Sequence, residues 1–226
     1  MTPQDLFETD VFPTSNGDLS ISFLGHASLL MMFNDMHIYV DPFGQVADYS
    51  KFRKADVILA THEHYDHLDP KALAFIRTQA TELISNPAGA EMVGGIVMHN
   101  GDKRVVSGLQ IEAVPAYNIV NKRDDGNPFH PKGKGNGYIL TFSKTRIYLA
   151  GDTENIPEME NIHSIDIAFL PMNLPYTMTP EMVADAAKMI KPKILYPYHF
   201  GKTDTRKLIE LLKDEKDIEV RIRKMA

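Results

Sequence analysis

Short apolar runs separated by turn-forming residues dominate the beginning of the chain. Between Leu19 and Asp41 the runs are ISFLG, SLLMMF and HIYVD, and the pair Asn34-Asp35 stands between the last two. Runs of this length with such boundaries predict β-strands joined by tight turns. We therefore expect the chain to begin as an antiparallel sheet.

The pattern changes to helical spacing after the apolar run DVILA at residues 56–60. Asp69 is a typical N-cap residue and Pro70 a typical first helical residue, so a helix is predicted from Pro70 to Thr78. Four further short runs, ELIS, GIVM, KRVVS and QIEAV, then predict a return to strands.

The second half of the chain repeats this order of elements. Strands are predicted at YILTF, RIYLAGD, DIAFLPM, ILYPYHF and IEVRIRK, with helices from Pro180, capped by Thr179, to Ile190 and from Asp204 to Asp214. Two such halves predict an α/β fold in which sheet packs on sheet between outer helical layers, an αββα four-layer sandwich of two mixed sheets. No linker interrupts residues 1–226, so we predict a single domain.

One segment between the halves has few apolar residues. Asn118 to Gly137 is rich in Gly, Pro, Lys and Asp, which predicts a long exposed loop. Structureless loops of this length are uncommon unless they serve a function, so we interpret this segment as a candidate lid.

Composition narrows the classes of function. The 226 residues are 43% hydrophobic, which suffices for a large core, and the net charge of −6 argues against a nucleic-acid partner. With no cysteine, any metal must be held by nitrogen and oxygen ligands. The N-terminal residues lack the pattern of a signal peptide and no apolar run approaches about 18 residues, so we expect a cytoplasmic protein without stable membrane association.

The stretch THEHYDHLDP, residues 61–70, carries the clearest chemistry. His62 and His64 are two positions apart and project the same way from an extended backbone, while Asp66 and His67 follow in the turn before the helix. Imidazole nitrogen and carboxylate oxygen are ligands that zinc, manganese and iron accept. The stretch predicts a metal site, with a hydrogen-bonded polar turn as the alternative interpretation.

THEHYDH resembles the H-x-H-x-D-H signature of the metallo-β-lactamase-fold hydrolases. VDPF at residues 40–43 is similar to the early aspartate motif of that family, AGDT at 150–153 to its bridging-aspartate motif, and PYHFG at 197–201 to its terminal histidine motif. FLGHASLL and LPMNLPYTMTPEMVADAA look most like the branch that includes ascorbate-6-phosphate lactonase.

The resemblance implies two divalent metal ions, zinc in the first instance and manganese or iron as alternatives. It assigns one ion to His62, His64 and a third histidine, the other to Asp66, His67 and His199, and a bridging position to Asp152. Where related sequences often have the third histidine, this chain has Asn118. We predict that His130 replaces it, and Asn118 itself or a merely exposed His130 are the alternatives.

The function implied is hydrolysis of a small ester, lactone or phosphoester by a water that the two metals activate. Asp66 is expected to orient or deprotonate that water, and His26 or a metal-bound water to protonate the leaving group. Asp41 is expected to accept a proton from a metal-binding imidazole and so fix its tautomer. A phosphodiesterase, or a non-catalytic metal-binding or ligand-sensing protein on the same fold, are the alternatives. The expected partner is a small-molecule substrate.

Overall fold

The computed structural model describes residues 6–226 and arranges them around two seven-stranded sheets. Both sheets are laid down in chain order. The strands of the first sheet are β1 Thr9–Thr14, β2 Gly17–Gly25, β3 Ser28–Phe33, β4 Met36–Val40, β5 Val57–Leu59, β6 Glu82–Ser85 and β7 Ile96–Val97. Those of the second are β8 Lys103–Val106, β9 Leu109–Ala116, β10 Gly135–Phe142, β11 Thr145–Leu149, β12 Ile167–Pro171, β13 Ile194–Tyr198 and β14 Glu219–Val220.

Each sheet changes from antiparallel to parallel pairing at its fourth strand. Pairing is antiparallel from β1 to β4 and from β8 to β11. It is parallel from β4 to β7 and from β11 to β14. The carboxyl ends of parallel strands lie at one edge of a sheet, where open α/β sheets commonly bind ligands. Asp41 and Thr61 follow β4 and β5 at this edge, and Asp152 and His199 follow β11 and β13.

Successive side chains of β4 and β5 point alternately into two different layers of the fold. Ile38, Val40 and Leu59 are buried in a large core that includes residues of both sheets. Tyr39 and Ile58 face the other way, into a smaller cluster with helix α1. The first sheet is thus covered by the second sheet on one face and by a helix on the other, and the predicted αββα sandwich is confirmed.

The predicted helices begin at the residues that cap them. Helix α1 spans Pro70–Ile76, and the Asp69 side chain accepts a hydrogen bond from the backbone N–H of Lys71. Helix α3 spans Pro180–Ile190 as predicted, with Thr179 as its N-cap. Helix α4 spans Thr205–Leu211 behind the N-cap Asp204. Local capping chemistry therefore sets where these helices start.

One helix and one strand were not predicted, and several elements have different bounds, since α1 and α4 end two and three residues before the predicted Thr78 and Asp214. Helix α2, Pro87–Val93, and strand β1 were missed, although the Asn86-Pro87 pair carries the same start signal as α1. Strand β14 is shorter than the run IEVRIRK, and β10 begins at Gly135, inside the predicted loop. Within residues 6–226, no helix has the length and apolar character needed to cross a membrane.

Candidate metal centre

The THEHYDH stretch leaves β5 and turns back on itself at the edge of the first sheet. The backbone N–H groups of His67 and Leu68 both donate to the carbonyl oxygen of His64, at 2.9 and 2.8 Å. His62 Nε2 lies 2.9 Å from His64 Nδ1, and the rings of His62 and His67 are 4.2 Å apart between centroids. This turn brings the three imidazoles of the motif together.

Three residues from the second half of the chain complete the cluster, with Asp152 at its centre. Asp152 Oδ1 lies 3.4 Å from His67 Nε2. Asp152 Oδ2 lies 3.3 Å from His130 Nε2 and 3.5 Å from His199 Nε2. A single carboxylate thus faces imidazoles supplied by the motif, by the loop after β9 and by the end of β13.

The possible metal-ligating atoms fall into overlapping groups whose members all lie within 4.8 Å of one another. One set, which we name the strand-end group, consists of His26, Asp66, His67 and His199. A second, the loop-dependent group, consists of His62, His64 and His130. A third, formed by His62, His67 and Asp152, overlaps the first two.

Every residue that the sequence predicted as a ligand falls in one of these groups. His26, which was predicted to act on the leaving group, lies with the predicted ligands in the strand-end group. Its Nε2 is 3.0 Å from Asp66 Oδ2, and its ring centroid is 3.7 Å from that of His199.

Buried polar atoms without partners show that these residues fit a bound cation. His67 Nε2, Asp152 Oδ1 and His199 Nε2 are buried and accept or donate no hydrogen bond. Such an unsatisfied group typically costs about 1–3 kcal/mol. Three of them beside one another, all nitrogen or carboxylate oxygen, match the ligands of divalent zinc, manganese or iron.

The protonation states of several residues suit metal binding. Burial lowers the pKa of His62 well below its usual range and lowers the pKa of His130 to about 4. Both imidazoles are therefore neutral at neutral pH, the form that binds metals. Burial alone would raise the pKa of Asp152, but the imidazoles of His199 and His67 hold it well below its usual range.

His67 differs from the other buried histidines. Burial alone would lower its pKa, but the carboxylates of Asp152 and Asp41 on either side raise it well above its usual range. In the metal-free protein, a proton on His67 balances part of the negative charge of these buried carboxylates. A metal ion at this position must displace that proton.

Asp41 holds His67 in place. His67 Nδ1 donates to Asp41 Oδ2 at 2.9 Å, and the Thr61 backbone N–H and hydroxyl donate to the same carboxylate at 2.7 and 2.9 Å. Asp41 is completely buried. Because Nδ1 carries the proton in this bond, Nε2 is directed at Asp152 and the cavity, as the sequence led us to expect of Asp41.

Asn118, the alternative ligand, instead binds His130. Asn118 Oδ1 accepts hydrogen bonds from the backbone N–H and from Nδ1 of His130, at 2.8 and 2.7 Å. Asn118 Nδ2 donates to the Tyr176 carbonyl oxygen at 2.9 Å and to Glu154 Oε1 at 3.2 Å. All the polar atoms of the Asn118 side chain are engaged, and His130 is left with Nε2 facing Asp152.

Glu154 fixes the start of the loop that carries His130, and sequence reasoning missed it. The carboxylate is 1% exposed and accepts from three consecutive backbone N–H groups, those of Ile119, Val120 and Asn121, each at 2.7 Å. It lies two residues after Asp152. The turn after β11 therefore supplies the predicted ligand Asp152, and through Glu154 it also anchors the loop that carries the predicted ligand His130.

The expectation of an exposed loop from Asn118 to Gly137 is correct for most of the segment but not for Asn118, His130 and residues 135–137. Residues 119–120, 122–127 and 131–134 are exposed, whereas Asn118 and His130 are 5% and 6% exposed. The Glu154 and Asn118 hydrogen bonds draw both ends of the segment against the second sheet. Those partners are distant in sequence, so composition alone suggested solvent exposure.

Three site residues adopt left-handed backbone conformations, which are unusual for residues other than glycine. The φ angles are 54° at His26, 44° at Asp41 and 47° at His199. The backbone N–H of His199 donates to the carbonyl oxygen of His26 at 2.9 Å. Such conformations cost about 1–3 kcal/mol and concentrate at functional sites.

A cavity of about 410 Å³ opens beside the donor groups. Its lining combines metal-site residues with four others, Arg123, Phe129, Asn173 and Tyr176. The side chain of Asp66 is 38% exposed and that of His26 is 17% exposed, so both reach the surface of the cavity. A cavity of this size suits a small molecule.

The chain belongs to the metallo-β-lactamase superfamily, because residues 20–199 match the family model described as the beta-lactamase superfamily domain. Among its curated relatives is a UPF0173 metal-dependent hydrolase of Pelotomaculum thermopropionicum, 34% identical over 197 residues that cover 81% of this chain and 85% of the relative. The protein is accordingly a metal-dependent hydrolase of this superfamily.

Solved structures agree with this assignment. The chain is similar to a presumed metal-dependent hydrolase from Parabacteroides distasonis, with 50% identity, a TM-score of 0.93 and coverage of 97% of this chain and 100% of the other. It shares its fold, at 24% identity and a TM-score of 0.74, with the metallo hydrolase Igni18 from Ignicoccus hospitalis, over 92% of this chain and 96% of the other.

Proposed function

We propose that this hydrolase binds two divalent metal ions, zinc in the first instance, and cleaves a small ester, lactone or phosphoester. The loop-dependent group would hold one ion, Asp66, His67 and His199 the other, and Asp152 would bridge them. The observation that carries this proposal is the position of Asp152, whose two oxygens face three imidazoles at 3.3 to 3.5 Å.

Two bound cations would supply an activated water and polarise the oxygen of the scissile group. The chain's own contribution is to bind, to orient and to move a proton. Asp41 and Asn118 each accept the Nδ1 proton of one histidine, so that Nε2 of His67 and Nε2 of His130 are directed inward. His130 would bind a metal in the neutral form that it already has, whereas His67 would first release a proton.

His26 and Asp66 form the proton-transfer pair of the proposal. His26 Nε2 donates to Asp66 Oδ2 at 3.0 Å, and burial lowers the pKa of His26 so that it is neutral at neutral pH. Asp66 is ionised because the neighbouring imidazoles of His199 and His26 outweigh the effect of burial and lower its pKa. Asp66 is therefore a base at the cavity surface, and it would pass the proton that it takes from the activated water to the leaving group, while the hydrogen bond from His26 holds it in place.

The test combines metal analysis with a substrate panel. Protein reconstituted with zinc, manganese or iron should retain two equivalents after dialysis, as measured by mass spectrometry of the metals. The loaded protein should hydrolyse at least one class among lactones, carboxylic esters, thioesters and phosphodiesters, and a chelator should abolish that activity. Retention of one equivalent or none in every reconstitution would overturn the dinuclear assignment, and inactivity across the panel would overturn the substrate assignment.

A further inference from the structure

One wall of the cavity is built by the tip of the loop after β9. The Arg123 backbone N–H donates to the Asn127 carbonyl oxygen at 2.8 Å, and the Gly126 N–H donates to the Arg123 carbonyl oxygen at 2.9 Å. This turn places the side chains of Arg123 and Phe129 in the cavity lining, which also includes Asp66 and His199 of the metal site.

The Arg123 guanidinium has unused hydrogen-bonding capacity. Its carbon lies 5.1 Å from the Phe129 ring centroid, and one terminal nitrogen donates to the Phe129 carbonyl oxygen at 3.3 Å. No carboxylate of residues 6–226 pairs with it, although Lys132 in the same loop pairs with Glu158 at 2.7 Å. A guanidinium has five N–H donors in a planar fork, and most of these remain available.

The acids next to Arg123 in sequence do not neutralise it through an ion pair. The carboxylate of Asp125 accepts hydrogen bonds from the backbone N–H and the side-chain amide of Asn127, at 2.9 and 3.1 Å. Phe129 in turn meets Tyr176 edge to face, with ring centroids 5.1 Å apart. The wall thus presents an aromatic surface with a cationic fork at one side.

We propose that the substrate carries a second, anionic group, a carboxylate or a phosphate, which Arg123 binds away from the scissile bond. The carbon skeleton between the two groups lies against Phe129 and Tyr176. A planar guanidinium recognises either anion through paired hydrogen bonds, so both share the same chemistry. This inference rests on the proposed hydrolysis at the metal site, which supplies the other point of attachment.

The test compares three small acids on the zinc-loaded protein by NMR titration, since zinc is diamagnetic. Butyrate, glutarate and 4-phosphonobutyrate each carry one carboxylate for the metal site on the same three-carbon chain, whose other end bears a hydrogen, a carboxylate or a phosphonate. The variants are Arg123→Gln and the matched control Lys122→Gln, which removes the neighbouring exposed cation outside the cavity lining.

Wild type and Lys122→Gln should bind a dianion roughly three- to tenfold more tightly than butyrate, and Arg123→Gln should lose that preference, since the charge-assisted bonds are partly exposed to solvent. Tighter binding of glutarate would identify the second group of the substrate as a carboxylate, and tighter binding of phosphonobutyrate would identify it as a phosphate. Equal binding of all three acids by wild type, or a preference undiminished in Arg123→Gln, would overturn the inference. Because the readout is binding, failure of the ester and lactone panel would count against hydrolysis alone.

Discussion

The two groups of donors at the metal centre are held by different kinds of structure. In the strand-end group, His67 is fixed by Asp41, which directly follows β4 and is itself held by Thr61 just after the parallel strand β5. In the loop-dependent group, His130 is fixed only through a loop, by Asn118 and indirectly by Glu154. The difference indicates that one half of the centre is preorganised by the sheet and the other by a few loop hydrogen bonds.

The largest effect is expected from removing Asp152, whose carboxylate faces imidazoles of both groups. Asp152→Ala deletes the carboxylate that faces imidazoles of both groups, so metal affinity should fall in both and hydrolysis by more than about a hundredfold, beyond the loss typical of residues that only support a ligand. Metal content and turnover measure this. Asp185→Ala, an exposed change on α3, is the control. Loss of metal from one group only would show that Asp152 does not bridge.

A smaller and selective effect is expected from Asp41→Asn. The variant removes the charge that orients His67, so metal affinity of the strand-end group should fall roughly 10- to 100-fold while the loop-dependent group stays within a few-fold. A two-step metal titration separates the groups. Asp56→Asn is the matched control, because Asp56 lies beside His37 at the other end of the same strand. Equal weakening of both groups would remove the distinction between them.

Glu154→Gln should weaken metal binding by the loop-dependent group about tenfold and leave the strand-end group almost unchanged, the reverse of Asp41→Asn. The new amide places N–H donors against the backbone N–H groups of the loop, which loosens Asn118 and His130. The loop-dependent group should then bind metal more weakly, and limited proteolysis should cut the loop after β9 faster. Glu158→Gln, which weakens the contacts of Glu158 with Lys132 in the same loop and with Tyr117 just before it, should leave both readouts near wild type. Faster cleavage with unchanged metal affinity would show that His130 is not a ligand.

The smallest expected difference is in the pH dependence of metal binding. The raised pKa of His67 means that a metal must displace its proton, so affinity of the strand-end group should fall as pH falls, by about tenfold per pH unit for one proton. His130, with a pKa of about 4, has no proton to displace near neutral pH. Metal titrations at several pH values, with proton release measured by calorimetry, would contradict this if both groups showed the same slope.

The sequence predicted most of the fold because its signals were local. The caps at Asp69 and Thr179 set helix starts, and alternating apolar runs marked most strands of both sheets. Strand β1 was missed because none of its six residues is fully buried, and α2 because its seven residues carry little apolar periodicity. Element boundaries set by caps were therefore predictable, and those set by packing were not.

The candidate site was predictable to the extent that its residues lie in motifs. The structure brings together the histidines and aspartates expected at strand ends, and Asp41 bonds to His67 as expected. The support of His130 could not be read from the sequence, since Glu154 contacts backbone groups more than 30 residues earlier in the chain. The clustering of His26 with the predicted ligands likewise depends on how the two sheets face each other.

The left-handed conformations at His26 and His199 imply a conflict between stability and activity. At both positions glycine would adopt the same φ without strain, so selection for heat resistance alone would favour replacing residues that the proposed reaction requires. At Asp41, which has a similar φ, the loss of the buried hydrogen bonds from Thr61 and His67 would outweigh that gain. Libraries screened only for melting temperature should therefore enrich inactive variants at His26 and His199. A variant of this protein that is more stable and still active must gain its stability from substitutions on the faces of the sandwich away from the metal centre.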